Sequence, residues 1–215
     1  MNEVTHVKST WEAKVFPTCL EAIAAGEGEP PPAEGPVLID SCPIENQNDI
    51  VSYGLYTGAG SIVAIYQAFT APKDFIPKSF KASLAKLGTV TGNLMLWLYN
   101  TTGAYPTVVP IPGSGRPSLL FDTANITDDP DGALCEFKFA EAAPFVLNAG
   151  QIYAVAIENH GTLSCPSPNR VQVGFNFEFG KMGAAHYGNG GFHQAGSWMA
   201  DDAADMIFYI YGEEP

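Results

Sequence analysis

The sequence predicts an all-β protein: a two-sheet antiparallel β-sandwich of the jelly-roll type, with about eight strands, behind an N-terminal arm and a Pro-rich linker. Three observations predict it. From residue 44 onward, apolar side chains recur with period two, the repeat of a strand with one buried face. The 22 glycines and 17 prolines of the 215-residue chain fall mostly between those runs. No amphipathic segment of helical length interrupts them, which excludes alternating βαβ units.

Residues 1–43 read as arm and linker. "TCLEAIAA" (Thr18–Ala25) has the marks of two helical turns: Pro17 before it, Thr18 as N-cap, Glu21 three residues on and Gly26 at the stop. "GEGEPPPAEGP" (Gly26–Pro36) favours polyproline II. Trp11, Val15, Phe16, Leu20 and Ile23 are too apolar for a solvated tail and read as anchors, docking on a partner subunit or on the chain's own core.

Residues 44–215 read as the sandwich. "SIVAIYQAF" (Ser61–Phe69) is a mostly apolar run. In "KSFKASLAKLG" (Lys78–Gly88), Phe80, Ala82 and Leu84 share one face. In "NLMLWLYN" (Asn93–Asn100), Leu94, Leu96 and Leu98 oppose Met95, Trp97 and Tyr99. "SLLFD" (Ser118–Asp122) is short. "LCEFKFA" (Leu134–Ala140) groups Cys135, Phe137 and Phe139, and "QIYAVAIEN" (Gln151–Asn159) groups Tyr153, Val155 and Ile157. "VQVGFNFEFG" (Val171–Gly180) alternates most clearly, and "MIFYIYG" (Met206–Gly212) closes the series.

Ten basic against 23 acidic residues give a net charge of −13. That argues against nucleic acid and anionic membranes as partners, since both need clustered Lys and Arg. Charged residues make up 15%, against roughly 25% in ordinary soluble domains. So little charge implies surface hidden in an assembly, and a homo-oligomer is expected. No run approaches the ~18 apolar residues of a membrane helix. Cys19, Cys42, Cys135 and Cys165 lack zinc-knuckle spacing. The opening residues carry no signal-peptide run, so cytoplasmic synthesis with free thiols is expected.

The densest chemistry lies at "HYGNGGFHQAGSWMADDAAD" (His186–Asp205). His186 and His193 could face each other across a hairpin, but no spacing fixes Asp201, Asp202 or Asp205 as the further ligand that zinc requires. "NITDDPDGALCE" (Asn125–Glu136) fails as a calcium loop, because placing Gly132 sixth puts Thr127 first and Lys138 twelfth. Its Asp-Pro-Asp-Gly reads instead as a type I turn. "GNGG" (Gly188–Gly191) lacks the helix and lysine of a phosphate loop. Asn189-Gly190 reads as the centre of a hairpin. No nucleophile elbow is present, and no carboxylate pair can be singled out. No catalytic residue, metal or cofactor is expected. Tyr187, His193 and Trp198 remain as candidates for a sugar-contacting patch, against a packing role in which Trp198 plugs the end of the sandwich.

Several stations resemble a known family. They are Gln67-Ala68-Phe69, "LAKLGTVTGNLMLWLY" (Leu84–Tyr99), "PFVLNAGQIYAVAI" (Pro144–Ile157), and the closing Tyr187, Gly190, Gly191, Trp198, Asp205 and Phe208. Their order resembles the carbohydrate-binding-module-like jelly rolls in structural proteins of tailed bacteriophages and prophage particles. The resemblance covers about residues 62–212 and implies a non-enzymatic virion protein, of capsid-decoration or tail/fibre type. Its partners would be other virion proteins and copies of itself, with a surface glycan as the alternative ligand. It would be made in the host cytoplasm and located in the virion. The arm falls outside the resemblance and suits docking onto neighbouring subunits.

Overall fold

A computed structural model of the chain describes residues 35–50, 53–103, 105–107, 118–139, 145–177, 190–201 and 203–215. The arm anchors Trp11, Val15, Phe16, Leu20 and Ile23, the helical reading of Thr18–Ala25, and Tyr187 lie outside those residues. Among the described residues there is no α-helix, only two 3-10 turns at Ile44–Asn46 and Thr123–Asn125. No helix there is long and apolar enough to cross a membrane.

The strands are β1 (Val37–Cys42), β2 (Gly54–Leu55), β3 (Ile62–Thr70), β4 (Ile76–Leu87), β5 (Asn93–Thr102), β6 (Tyr105–Pro106), β7 (Phe121–Asp122) and β8 (Ala133–Lys138). They continue with β9 (Ile152–Asn159), β10 (Arg170–Val173), β11 (Phe175–Asn176), β12 (Gly190–Gln194), β13 (Ser197–Asp201), β14 (Asp205–Met206) and β15 (Phe208–Glu213). One sheet runs β1-β15-β4, with β8 on the other side of β4; past the end of β15 the short β10 pairs with β4, and β2 pairs with β10. The other runs β13-β12-β3-β9-β5, with β6 and β7 on the outer side of β5. Setting insertions aside, β1-β15-β4-β8 faces β3-β9-β5-β7, the strand order of a jelly roll.

The faces read from the alternation are the buried ones. Phe80, Ala82 and Leu84, Leu94, Leu96 and Leu98, Cys135, Phe137 and Phe139, and Tyr153, Val155 and Ile157 join a single core. Phe121 and Phe137 link the sheets at 4.8 Å between ring centres, and Phe80 stacks on Phe208 at 5.7 Å. Each fully buried Phe or Leu contributes about 1.5–3 kcal/mol. The ion pairs Lys73–Glu214, Lys78–Glu213 and Lys86–Asp128 each have an exposed member and contribute about 0–1 kcal/mol. Apolar burial therefore holds the sandwich.

The structure departs from the sequence reading in four places. The first sheet begins at Val37, inside the stretch read as linker, because "VLIDSC" pairs with β15. Its burial does not alternate, and only Cys42 is fully buried, so periodicity gave no signal. The Val171–Gly180 run breaks at Gly174: Val173 pairs with Leu84, while Phe175 pairs with Met206. A Cβ at Gly174 would lie 2.1 Å from Gln47 Oε1 and 2.8 Å from Ser83 Cβ, so only glycine passes there. The closing run divides at Ile207, whose N–H donates to Gly174. Lastly, Gly190 is not a turn residue but lies within β12, opposite Asp201 and Gln67. The hairpin turns at Ala195-Gly196, both with positive φ (52° and 84°). That conformation is rare for alanine, and so the sequence hides the turn.

Candidate functional site

A concentration of aromatic and ionisable side chains that includes His193 and Trp198 lies on the outer face of the second sheet. Register places Trp198, His193, Ala64, Glu158 and Met95 in one row across β13, β12, β3, β9 and β5. The next row is Ala200, Gly191, Tyr66, Ala156 and Trp97. Beyond it come Ala68, Ala154 and Tyr99. Alanines and Gly191 thus surround Tyr66 on the middle strands, with Trp198 at one side and Trp97 and Tyr99 at the other.

Trp198 and Tyr99 lie four strands apart, roughly 19 Å on a flat sheet at ~4.8 Å per strand. Their ring centres are 5.5 Å apart. The sheet therefore curls, and the two rings lie across its face. Trp198 also meets Tyr66 edge-on at 5.4 Å and His193 at 4.7 Å. Tyr66, Tyr99, Ala68, Ala154 and Ala156 form a second buried cluster, with Trp97 and Trp198 packed against it. Gly191 makes room for it, since a Cβ there would lie 2.2 Å from the Met199 carbonyl and 2.6 Å from the Tyr66 ring.

Inside this cluster the Tyr99 hydroxyl donates to the Glu158 carboxylate. Burial raises the Glu158 carboxyl above its usual range, and the Tyr99 bond opposes that only in part. Burial and the same carboxylate raise the Tyr99 hydroxyl in turn. A carboxyl raised on folding stabilises the fold fully below its unfolded pKa of 4.5, and that contribution is lost as pH rises through the higher folded value. Glu158→Gln keeps an oxygen to accept from Tyr99 and removes the charge. It is expected to raise the melting temperature at pH 7 and leave it unchanged at pH 4; a lower melting temperature at pH 7 would contradict this.

Of the candidates read from sequence, His193 and Trp198 come together here and half-buried. Trp198 packs, but on the outer face of a sheet rather than in the end of the sandwich. Tyr66, Trp97, Tyr99 and Glu158 were not singled out. The signal for them was present: Ala64, Tyr66 and Ala68 alternate on β3, and Ala154 and Ala156 on β9, a second apolar face on the strands that feed the main core.

No family model matches the chain, and no curated protein matches it.

The other candidates separate. Asp201 accepts from the Tyr53 hydroxyl and the Ala203 N–H. Asp205 is fully buried and accepts from Gln67 Nε2 at 3.2 Å. His186 and Asp202 lie outside the described residues. Among the described residues no three His, Cys, Asp or Glu side chains converge. The acidic loop folds as the turn read from it: Gly132 N–H donates to Asp129 O at 3.0 Å, and the Asp129 side chain accepts from Asp131 N–H.

Cys42, Cys135 and Cys165 are buried free thiols. Burial, with Asp205, Asp40 and Glu45 adding to it, pushes Cys42 up to about 12. Burial alone pushes Cys135 up to about 11. The thiolate is the reactive form. With Cys19→Ser in place, none of the three should react with a thiol reagent at pH 8 until the chain unfolds; labelling of the native protein would contradict this.

Proposed function

We propose that the chain is a non-enzymatic virion structural protein, of capsid-decoration or tail/fibre type. Its jelly roll assembles with copies of itself and with other virion proteins, and its N-terminal arm docks on neighbouring subunits. The observation that carries this reading is where large apolar side chains are exposed. Val37 and Leu38 lie on the edge strand β1 and Leu134 on the opposite edge, β8; Met199 lies on β13, with Tyr105 on β6 at the far edge of that sheet. Exposed apolar side chains on edge strands invite burial against another chain, and monomeric proteins guard such strands with charge. Here only 15% of residues are charged, and the edges suit burial between subunits.

Deletion of residues 1–34 leaves β1 intact and tests the arm. The truncated protein should fold with an unchanged circular dichroism spectrum yet fail to enter particles. Normal incorporation would sink the idea. Extending the deletion through residue 43 also removes β1 and would confuse lost docking with lost folding.

A glycan-binding adhesin or receptor module is the second reading. What favours it is that Trp97, Trp198, His193 and Glu158 are each half-buried, not fully buried, on one curled face. Aromatic faces and a carboxylate can hold a sugar ring and its hydroxyls.

A further inference from the structure

The outer face of the first sheet differs in character from the aromatic face of the second. Phe208, Ile210, Phe80 and Phe137 belong to the core, so the residues alternating with them point outward. Register aligns Leu38, Tyr211 and Lys138 in one row across this face, and Tyr209, Lys81 and Glu136 in the next. Leu38 and Lys138 are exposed, and Tyr209, Tyr211 and Lys81 are half-buried. Lys73, Lys78 and Lys86 each have a carboxylate partner. Lys81 and Lys138 have no ion pair among the described residues. Lys81 Nζ instead lies over the Tyr211 ring, 5.0 Å from its centre, which holds the charge on the face. In a chain of net charge −13, these two rows carry two lysines against one glutamate.

We propose that this face receives residues 26–34 of a neighbouring copy of the chain. That stretch carries Glu27, Glu29 and Glu34 around Pro30, Pro31 and Pro32, with no lysine or arginine. Its carboxylates complement Lys81 and Lys138. Proline-rich segments dock on aromatic side chains, because a chain already extended loses little entropy on binding; Tyr209 and Tyr211 supply the rings. Nine residues reach roughly 28 Å at ~3.1 Å per residue. The four strands from β1 to β8 span roughly 14 Å at ~4.8 Å per spacing. The segment is therefore long enough to cross the sheet. The inference rests on the reading of the arm as a docking element. It adds the surface that receives the arm and the acidic segment that meets it.

Analytical ultracentrifugation of the full chain reads its self-association against concentration and salt. The wild type should associate, and about 0.5 M salt should weaken the association by screening its exposed charges. Lys81→Gln/Lys138→Gln should weaken it about fivefold, the loss of two exposed ion pairs, at an unchanged melting temperature. Glu27→Gln/Glu29→Gln/Glu34→Gln should weaken it to a similar extent. The two sets combined should lose little more than either alone, as groups that meet each other do. Additive losses, or full association in the lysine variant, would overturn the inference. Full association there with loss in Trp11→Ser/Phe16→Ser would place the arm on another surface, overturning this inference and leaving the arm reading standing. A wild-type monomer at every concentration would also overturn it. Normal particle incorporation of the protein lacking residues 1–34 would overturn both.

Discussion

Trp198→Ala is expected to cost about 3 kcal/mol of stability, the usual loss for a packed aromatic truncated to alanine, and to lower the melting temperature by about 10 °C. Trp198 touches three rings, those of Tyr66, Tyr99 and His193, and covers the alanine floor of the curled sheet. Removing it opens a hole over Tyr66 and frees the β12–β13 hairpin from the far side of the face. Trp198→Phe keeps part of the contact and should cost less. Thermal melts of both variants check this. A Trp198→Ala protein as stable as the wild type, but without sugar binding, would mean that the ring serves a ligand and not the fold.

Asp205→Ala is expected to cost about 2–3 kcal/mol, the range for a buried hydrogen bond to a charged group. Gln67 and Asp205 are both fully buried. Gln67 Oε1 accepts from Met206 N–H at 2.7 Å, and its Nε2 donates to Asp205 and to Ala68 O. The side chain thus ties β3 to β14, where the chain leaves the hairpin and enters β15. Truncating Asp205 leaves a buried amide N–H without its acceptor and a void beside it. Asp205→Asn retains an acceptor and most of the volume, so its loss should be smaller. Urea midpoints for the two variants rank the effect; equal midpoints for wild type and Asp205→Ala would show that this pair does not hold the element.

The main sandwich was legible because its strands follow one rule. Where one face meets the core, as in Phe80, Ala82 and Leu84, alternation exposes the strand. Where that rule is broken, the sequence misled. Residues 37–42 form an edge strand with its apolar side chains largely exposed, so β1 merged with the Pro-rich stretch before it. The turn at Ala195-Gly196 carries no asparagine or aspartate, so the nearby Asn189-Gly190 took its place. Gly174 sits inside an unbroken alternation yet divides it, because Gln47 and Ser83 crowd the backbone from elements distant in sequence. The site was legible only in part for a related reason. His193 and Trp198 stand close in the chain. Tyr66, Tyr99 and Glu158 reach them only through the order of strands in the sheet, which no local pattern encodes.

Gln67 and Asp205 meet in the structure as a hydrogen-bonded pair. That pair joins β3 to β14. This is why stability, and not sugar affinity, is the quantity to measure at Asp205.

The role proposed for the chain is that of a building block of a virus particle. Electron cryo-microscopy of the source particle tests it most directly. The account predicts many symmetry-related copies of the jelly roll, with residues 1–34 against neighbouring subunits and the β1 and β8 edges covered. Purified particles lacking the chain would contradict it.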